Sequence, residues 1–191
     1  MLRSFLRTIL FILSVYFISC SPENGTFFEL QLPTADNKTV NLSETKNNRA
    51  SVFVFLNPDC PLSQKYSLSI KNIFAEYSGK NIPVYLVFPG RLYSNSEIKK
   101  FLSDYNLQMV AIEDEDKKLT ACLGAEITPE AFLIDAKGNF LYKGAIDNWF
   151  MDVDQKREVI TEHYLADAIQ LFLAGKTIKV SQTKPVGCII E

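Results

Sequence analysis

The chain has 191 residues, of which 47% are apolar and 22% are charged, and its net charge at neutral pH is −2. A chain of this length is expected to form one domain that buries roughly two thirds of its unfolded surface. The composition excludes a disordered chain, and the negative net charge argues against a nucleic-acid partner held by neutralised phosphates.

The first 19 residues are predicted to be a leader and not part of the fold. Arg3 and Arg7 precede an apolar run over residues 9–18, and the small residue Ser19 follows it. This order is typical of a secretory signal peptide, and the run is short for a membrane-spanning helix of about 20 residues.

Cys20 is the candidate lipidation site. The segment Phe17-Ile18-Ser19-Cys20 resembles a bacterial lipobox, in which the cysteine is acylated and becomes the mature N-terminus. An uncleaved N-terminal anchor is the alternative. The lipidated cysteine and the uncleaved anchor both predict an extracytoplasmic domain. This domain would be tethered to the periplasmic face of the inner or outer membrane of a bacterium, with residues 20–25 as the tether.

The mature chain then predicts an alternation of strands and helices over residues 26–175, which indicates an α/β fold. A short strand pair over 27–32 and 38–42 forms an N-terminal β-hairpin extension. The remaining elements are recognised by apolar runs and helical spacing. They are strands at 51–56, 82–88, 108–112, 131–134 and 140–142, and helices at 61–78, 95–105 and 156–174.

Cys60 is the candidate nucleophile. It follows the buried strand predicted over 51–56 and precedes Pro61, which fits the first position of a helix because its missing N–H has no partner there in any case. Unpaired N–H groups and the helix dipole at that position favour the thiolate, which is the reactive form of cysteine. A buried, inert cysteine is the alternative.

Three other features have structural explanations that need no function. The acidic run over 113–116 is predicted to be a solvated loop and first helical turn. Cys122 is predicted to be a packing residue, and His163 is predicted to lie inside the last helix. Arg91 follows the turn at the end of a strand, where it either serves the site or is a plain surface residue.

Residues 176–191 are predicted to be an extended tail that carries Cys188. Pro185 stiffens this tail and Gly187 permits a tight bend before the cysteine.

Two segments resemble the thioredoxin superfamily. Cys60-Pro61-Leu62-Ser63 looks like its active-site turn, with serine in place of the second cysteine, and Thr128-Pro129 with Phe132 and Asp135 resembles its Thr-Pro-x-x-Phe-x-x-Asp segment. The wider pattern, with Gly144-Ala145-Ile146-Asp147-Asn148 and Gly187-Cys188, is similar to redoxins of the alkyl hydroperoxide reductase and thiol-specific antioxidant group. The resemblance covers approximately residues 25–190. It implies a thioredoxin-like fold, a central mixed sheet flanked by helices.

The resemblance also implies a site and an activity. Pro129 is expected to be cis and to lie against Cys60, so Pro61, Ser63, Thr128 and Pro129 are the candidate substrate-facing residues. The implied activity is thiol–disulfide exchange or reduction of an oxidant, with protein thiols, protein disulfides or a small oxidant as partners and no cofactor. The Pro-x-x-x-Thr-x-x-Cys motif of peroxiredoxins is not matched, because Phe53 and Asn57 occupy its first two conserved positions.

The missing second cysteine leaves the mechanism open. Ser63 cannot form a disulfide, so the turn offers a single active-site cysteine, Cys60. The Ser63 hydroxyl can donate to the Cys60 thiolate, which fits a monothiol mechanism, or satisfy the local backbone. Because exchange proceeds through a mixed disulfide, Cys188 is the candidate resolving thiol, which would reach Cys60 within one chain or from a second protomer. An anchored free or packing cysteine is the alternative.

Two rival classes of protein fit the same residues. One is a copper-binding protein that holds Cu(I) between Cys60 and Cys188, since soft thiolates suit that ion, although no ligand spacing predicts a metal site and His163 is the only histidine. The other is a redox-inert binding module that keeps the fold.

Overall fold

The computed structural model describes residues 24–191, so the predictions for the leader and for Cys20 lie outside the described residues. The strands are β1 (Gln31–Pro33), β2 (Thr39–Asn41), β3 (Ala50–Phe55), β4 (Val84–Pro89), β5 (Val110–Asp114), β6 (Ile127–Thr128), β7 (Glu130–Asp135), β8 (Phe140–Gly144), β9 (Phe150–Asp152), β10 (Gln155–Lys156) and β11 (Cys188–Ile189). The helices are α1 (Asn24–Glu29), α2 (Pro61–Tyr77), α3 (Asn95–Asp104), α4 (Lys118–Leu123) and α5 (Tyr164–Leu173). Two short 3₁₀ helices cover Leu42–Asn47 and Ser78–Lys80.

A five-stranded sheet in the order β5-β4-β3-β7-β8 organises the molecule. Strand β3 pairs parallel with β4 and antiparallel with β7, so the sheet is mixed, as predicted. All six residues of β3 are buried, which requires cover on both faces of the sheet. Strands β1 and β2 form the predicted N-terminal hairpin beside it.

The sheet separates two hydrophobic cores. Alternate residues of β3 point to opposite faces, so Val52 and Val54 join one core while Phe53 and Phe55 join the other. Helices α2, α3 and α5 cover the first core, and α1 and α4 cover the second. Cys122 packs half-buried against the second core, in line with the packing role predicted for it.

The prediction of a strand from residue 27 is wrong. Residues 24–29 form α1, and the strand begins only at Gln31. The Phe27 ring enters the second core from this helix and meets the Phe53 ring edge to face at a centroid distance of 5.7 Å. Burial of the aromatic side chain therefore overrides the local preference for an extended chain.

The last helix begins later than predicted. It covers Tyr164–Leu173, whereas β9 and β10 form a hairpin where the helical pattern was expected to start. The Asn148 side-chain oxygen accepts the N–H groups of Thr161 and Glu162 at 3.0 and 3.2 Å, so these groups have a partner outside any helix. His163 consequently precedes the helix and is not inside it.

The acidic run is only partly solvated. The Asp114 carboxylate is fully buried and accepts the N–H groups of Leu119 and Thr120 at 3.1 and 2.7 Å, which caps the start of α4. Glu115 and Asp116 are exposed, as predicted.

The tail is extended, as predicted, but it is docked on the domain. Gln182 forms a parallel bridge with Lys143 on β8, and β11 pairs antiparallel with β6. Between residues 24 and 191, no helix is both long enough and apolar enough to cross a membrane.

Candidate functional site

The site begins at the turn between β3 and α2. Cys60 occupies the N-cap position of α2, Pro61 is the first helical residue, and the Cys60 N–H donates to the Asn57 carbonyl at 3.1 Å. The Cys60 side chain is only 2% exposed. Cys60 therefore lies at the predicted helix start, beneath other parts of the chain.

The loop before β7 supplies one wall of the site. The Thr128–Pro129 peptide bond is cis, as the resemblance implied. The Cys60 thiol donates to the Thr128 carbonyl oxygen at 3.2 Å, so this loop lies directly against the cysteine.

The tail supplies the opposite wall and brings a second thiol. Cys188 faces Thr128 across the antiparallel pair of β11 and β6, and its carbonyl accepts the Thr128 hydroxyl at 3.4 Å. Each of the two thiols, Cys60 and Cys188, shifts the pKa of the other, and no disulfide joins cysteines in the described part of the chain. The fold thus unites the two cysteines that the sequence analysis selected.

The surroundings assign different protonation states to the two thiols. Burial by itself raises the pKa of Cys60, but hydrogen bonds from the Cys188 thiol, from Ser63 and from the Leu62 amide outweigh it, and the pKa falls below its ordinary value. Burial together with the neighbouring Cys60 raises the pKa of Cys188 to about 12. Cys60 is consequently the thiol of the pair that loses its proton at the lower pH, and Cys188 keeps its proton to a higher pH.

Ser63 performs both of the roles considered for it. Its hydroxyl oxygen accepts the Asn57 N–H at 3.2 Å, which braces the turn. Ser63 also helps to lower the pKa of the Cys60 thiol, through both its backbone N–H and its side chain.

The four candidate substrate-facing residues surround Cys60 but differ in exposure. Pro61 is exposed, whereas Ser63, Thr128 and Pro129 are buried. Their contact with a substrate stays a prediction, since the docked tail lies over this part of the site.

Arg91 does not serve the thiolate. It forms ion pairs with Glu115 at 2.7 Å and Asp116 at 2.8 Å, and its side chain is 68% exposed. It contributes instead to the wall of an open cleft of about 450 Å³, which Ile189 and Ile190 of the tail also line.

The Gly144–Asn148 segment supports the site from behind. The Asp147 carboxylate is buried and accepts the Tyr66 hydroxyl at 2.8 Å and the Trp149 N–H at 2.9 Å. Tyr66 belongs to α2, the helix that begins next to Cys60, so this carboxylate ties that helix to the loop after β8. Burial raises the pKa of Asp147 above its ordinary value.

Sequence reasoning missed Thr183, which holds the tail through hydrogen bonds to Tyr142 and Ala145. It selected Gly187 as the site of a tight bend, whereas in the structure Gly187 lies on the Thr128 carbonyl. Within residues 24–191 no cluster of three or more His, Cys, Asp or Glu side chains is arranged to hold a metal ion.

The mixed sheet, the helix that starts at Cys60 and the cis-proline loop beside it define a thioredoxin-like fold. The chain belongs to the AhpC/TSA family, whose model matches residues 25–143. No curated protein matches the sequence.

Solved structures agree on the fold. A hypothetical protein of Sinorhizobium meliloti 1021 aligns with a TM-score of 0.73 and 21% identity over 84% of this chain and 89% of its own. An uncharacterised conserved protein of Geobacillus kaustophilus gives 0.74 and 20% over 85% and 87%. A secreted disulfide oxidoreductase of Mycobacterium tuberculosis gives 0.52 and 18% over 59% and 81%. At these identities the similarity concerns the fold.

Proposed function

We propose that this protein is a two-cysteine thiol oxidoreductase in which Cys60 is the nucleophile and Cys188 is the resolving thiol. The observation that carries the proposal is the position of Cys188, which pairs with Thr128, the residue whose carbonyl oxygen lies 3.2 Å from the Cys60 sulfur. The two thiols also shift the pKa of each other. A second cysteine at this place replaces the one that the Cys60–Ser63 turn lacks. Membership of the AhpC/TSA family supports a redox role for the pair.

The proposed cycle has two exchange steps. The Cys60 thiolate attacks one sulfur of a substrate disulfide, forms a mixed disulfide and releases the other sulfur as a thiolate. Cys188 then loses its proton and attacks the Cys60 sulfur, which expels the second substrate thiolate and leaves a Cys60–Cys188 disulfide. The substrate gains two electrons, and an external dithiol returns them to the protein.

The electrostatics of the pair suit this order of events. While Cys60 is a thiolate, its charge and its hydrogen bond keep Cys188 protonated. The mixed disulfide removes both influences, because the Cys60 sulfur then carries no charge. Cys188 therefore ionises more readily at the stage where it must attack.

A small oxidant is the second class of substrate. A hydroperoxide would oxidise the Cys60 thiolate to a sulfenic acid and leave as an alcohol, and Cys188 would then displace water to form the same disulfide. Disulfide substrates are favoured, because Asn57 stands where peroxiredoxins place a threonine.

Mapping of the disulfide products tests the proposal. After exposure of the reduced protein to oxidised glutathione, the wild type should yield a Cys60–Cys188 peptide, and Cys188→Ser should accumulate glutathione on Cys60. Cys122→Ser is the matched control and should behave as the wild type does. A wild type that retains a mixed disulfide or sulfenic acid on Cys60, with Cys188 still open to alkylation, would refute the two-cysteine cycle.

We further propose that the domain works outside the cytoplasm, tethered through an acylated Cys20. The support is the leader pattern over residues 1–20. Incorporation of a labelled fatty acid into the wild type but not into Cys20→Ala is the expected result, and equal labelling of both would disprove lipidation at this residue.

A further inference from the structure

Cys60 and the tail both contact one backbone atom, the Thr128 carbonyl oxygen. The Thr128 carbonyl oxygen accepts the Cys60 thiol at 3.2 Å, and the backbone of Gly187 lies on the same carbonyl. A β-carbon added to Gly187 would stand 2.0 Å from that oxygen and 3.0 Å from the Ile127 side chain. Only glycine allows the chain to come this close just before Cys188.

Close contact, and not an unusual backbone conformation, is the reason for glycine at this position. Gly187 does not have the positive φ that Gly144 and Gly175 show. An alanine could therefore adopt the same backbone dihedral angles, but it would have to move away from Thr128.

A second anchor holds the tail before it reaches Gly187. The Thr183 hydroxyl accepts the Ala145 N–H at 2.9 Å and lies 2.5 Å from the Tyr142 hydroxyl, while the Thr183 N–H donates to the Lys143 carbonyl at 3.0 Å. A β-carbon on Gly144 would lie 2.2 Å from the Thr183 carbonyl, so the two backbones also meet closely here.

The tail is held beyond Cys188 as well. The Ile190 N–H donates to the Glu126 carbonyl at 2.9 Å, and its side chain packs against the second core. Val186 and Cys188 pack against the first core. Cys188 is thus held between contacts on both sides of the sheet.

We infer that Gly187 and Thr183 are positioning residues that set the effective concentration of the Cys188 thiol at Cys60. This inference rests on the proposed two-cysteine function. An intramolecular disulfide is favoured over two separate mixed disulfides in proportion to that effective concentration. The two residues therefore determine how strongly the protein holds its oxidised form, although neither takes part in the chemistry.

The redox equilibrium of the pair measures this effect. In mixtures of oxidised and reduced glutathione, one oxidised glutathione takes two electrons and two protons from Cys60 and Cys188, which yields two reduced glutathiones and the disulfide. Gly187→Ala should lower the equilibrium constant for this reaction tenfold or more, a shift of about 30 mV for each factor of ten.

Two further comparisons separate positioning from general destabilisation. Gly79→Ala is the matched control, because a β-carbon there meets nothing within 4 Å. Its equilibrium constant with glutathione should equal that of the wild type. Thr183→Val should lower the constant because it removes the hydroxyl, and Thr183→Ser should restore it because the hydroxyl remains. The comparison of Thr183→Val with Thr183→Ser tests the positioning role even if Gly187→Ala folds poorly.

The outcomes distinguish this inference from the function on which it rests. A wild type that forms no Cys60–Cys188 disulfide at any glutathione ratio would overturn the proposed function. A wild type that forms the disulfide, with an unchanged constant in both Gly187→Ala and Thr183→Val, would overturn the positioning role alone.

Discussion

At the scale of single residues, the site contains two cysteines whose pKa values are shifted in opposite directions. Cys60 receives hydrogen bonds from Cys188, Ser63 and Leu62, and these overcome the effect of its burial. Burial, and after it the neighbouring Cys60, raises the pKa of Cys188, so this thiol keeps its proton to a higher pH. The two thiols therefore differ in pKa before any substrate binds, and the proposed nucleophile is the one with the lower pKa.

Loss of the Cys188 proton donor should raise the pKa of Cys60. Cys188→Ala removes the donor while Cys60 stays at the helix start, so the thiolate should form at higher pH than in the wild type. Cys188→Ser keeps a hydroxyl donor and should lie between the two. The ultraviolet absorbance of the thiolate against pH, with Cys60→Ser subtracted as the blank, provides the measurement. Equal midpoints in the wild type and Cys188→Ala would show that Cys188 does not stabilise the thiolate.

The sequence predicted one of these residues much better than the other. The placement of Cys60 depends on neighbours in the chain, a buried strand before it and a proline after it, and such local signals can be interpreted without a structure. The contact with Cys188 depends on β6 and β11 pairing at a distance. No local pattern encodes that pairing, so the sequence could offer Cys188 only as a candidate.

At the scale of elements, the helices with their own start signals were predicted best. Helix α3 begins after Ser94, whose side chain accepts the Glu97 N–H while Glu97 accepts the Ser94 N–H. The two residues are only three positions apart, so the sequence itself shows this capping pair. Helix α4 has no such signal, because Lys117 at its N-cap makes no side-chain cap. Its cap comes from Asp114, in the acidic run that was predicted to be solvated.

Removal of the Asp114 cap should destabilise the protein strongly. Asp114→Ala leaves the N–H groups of Leu119 and Thr120 and the Thr120 hydroxyl without their acceptor in a buried place. Since each unsatisfied buried donor costs about 1–3 kcal/mol, we expect the free energy of unfolding in urea to fall by about 3 kcal/mol or more.

Glu115→Ala is the control for this change. Glu115 is the next carboxylate in the same run, and it makes an exposed ion pair with Arg91. Exposed pairs of this kind contribute at most about 1 kcal/mol. Similar losses of stability in the two variants would contradict the capping role of Asp114.

At the scale of the whole molecule, buried carboxyl groups hold separate segments of the chain in place around the site. Asp147 connects α2 to the loop after β8, and Glu130, 2% exposed, accepts the Glu126 N–H at 3.0 Å in the segment that leads to β6. Burial raises the pKa of both carboxyl groups. The chain thus keeps two acids in places where their charged forms are disfavoured, one behind the site and one next to its cis-proline loop.

The Asp147 carboxyl should make the stability of the whole domain depend on pH in a defined direction. Its pKa in the folded state lies above the ordinary value of 3.8, so the folded protein binds more protons than the unfolded chain between those two values. The contribution of this group is therefore fully present below pH 3.8 and is lost as the pH rises through the folded-state pKa.

Asp147→Asn isolates this contribution. Both hydrogen bonds, from the Tyr66 hydroxyl and the Trp149 N–H, go to the Oδ1 atom, which asparagine also possesses. We expect the free energy of unfolding of the wild type, minus that of Asp147→Asn, to fall as the pH rises through this window and then to become constant. Asp36→Asn is the control, because hydrogen bonds from Lys38 and Thr34 lower the pKa of Asp36 to about 2. The difference in the free energy of unfolding between the wild type and Asp36→Asn should therefore rise with pH. A wild-type minus Asp147→Asn difference that rises with pH would mean that the protein stabilises the charged carboxylate, contrary to the burial argument.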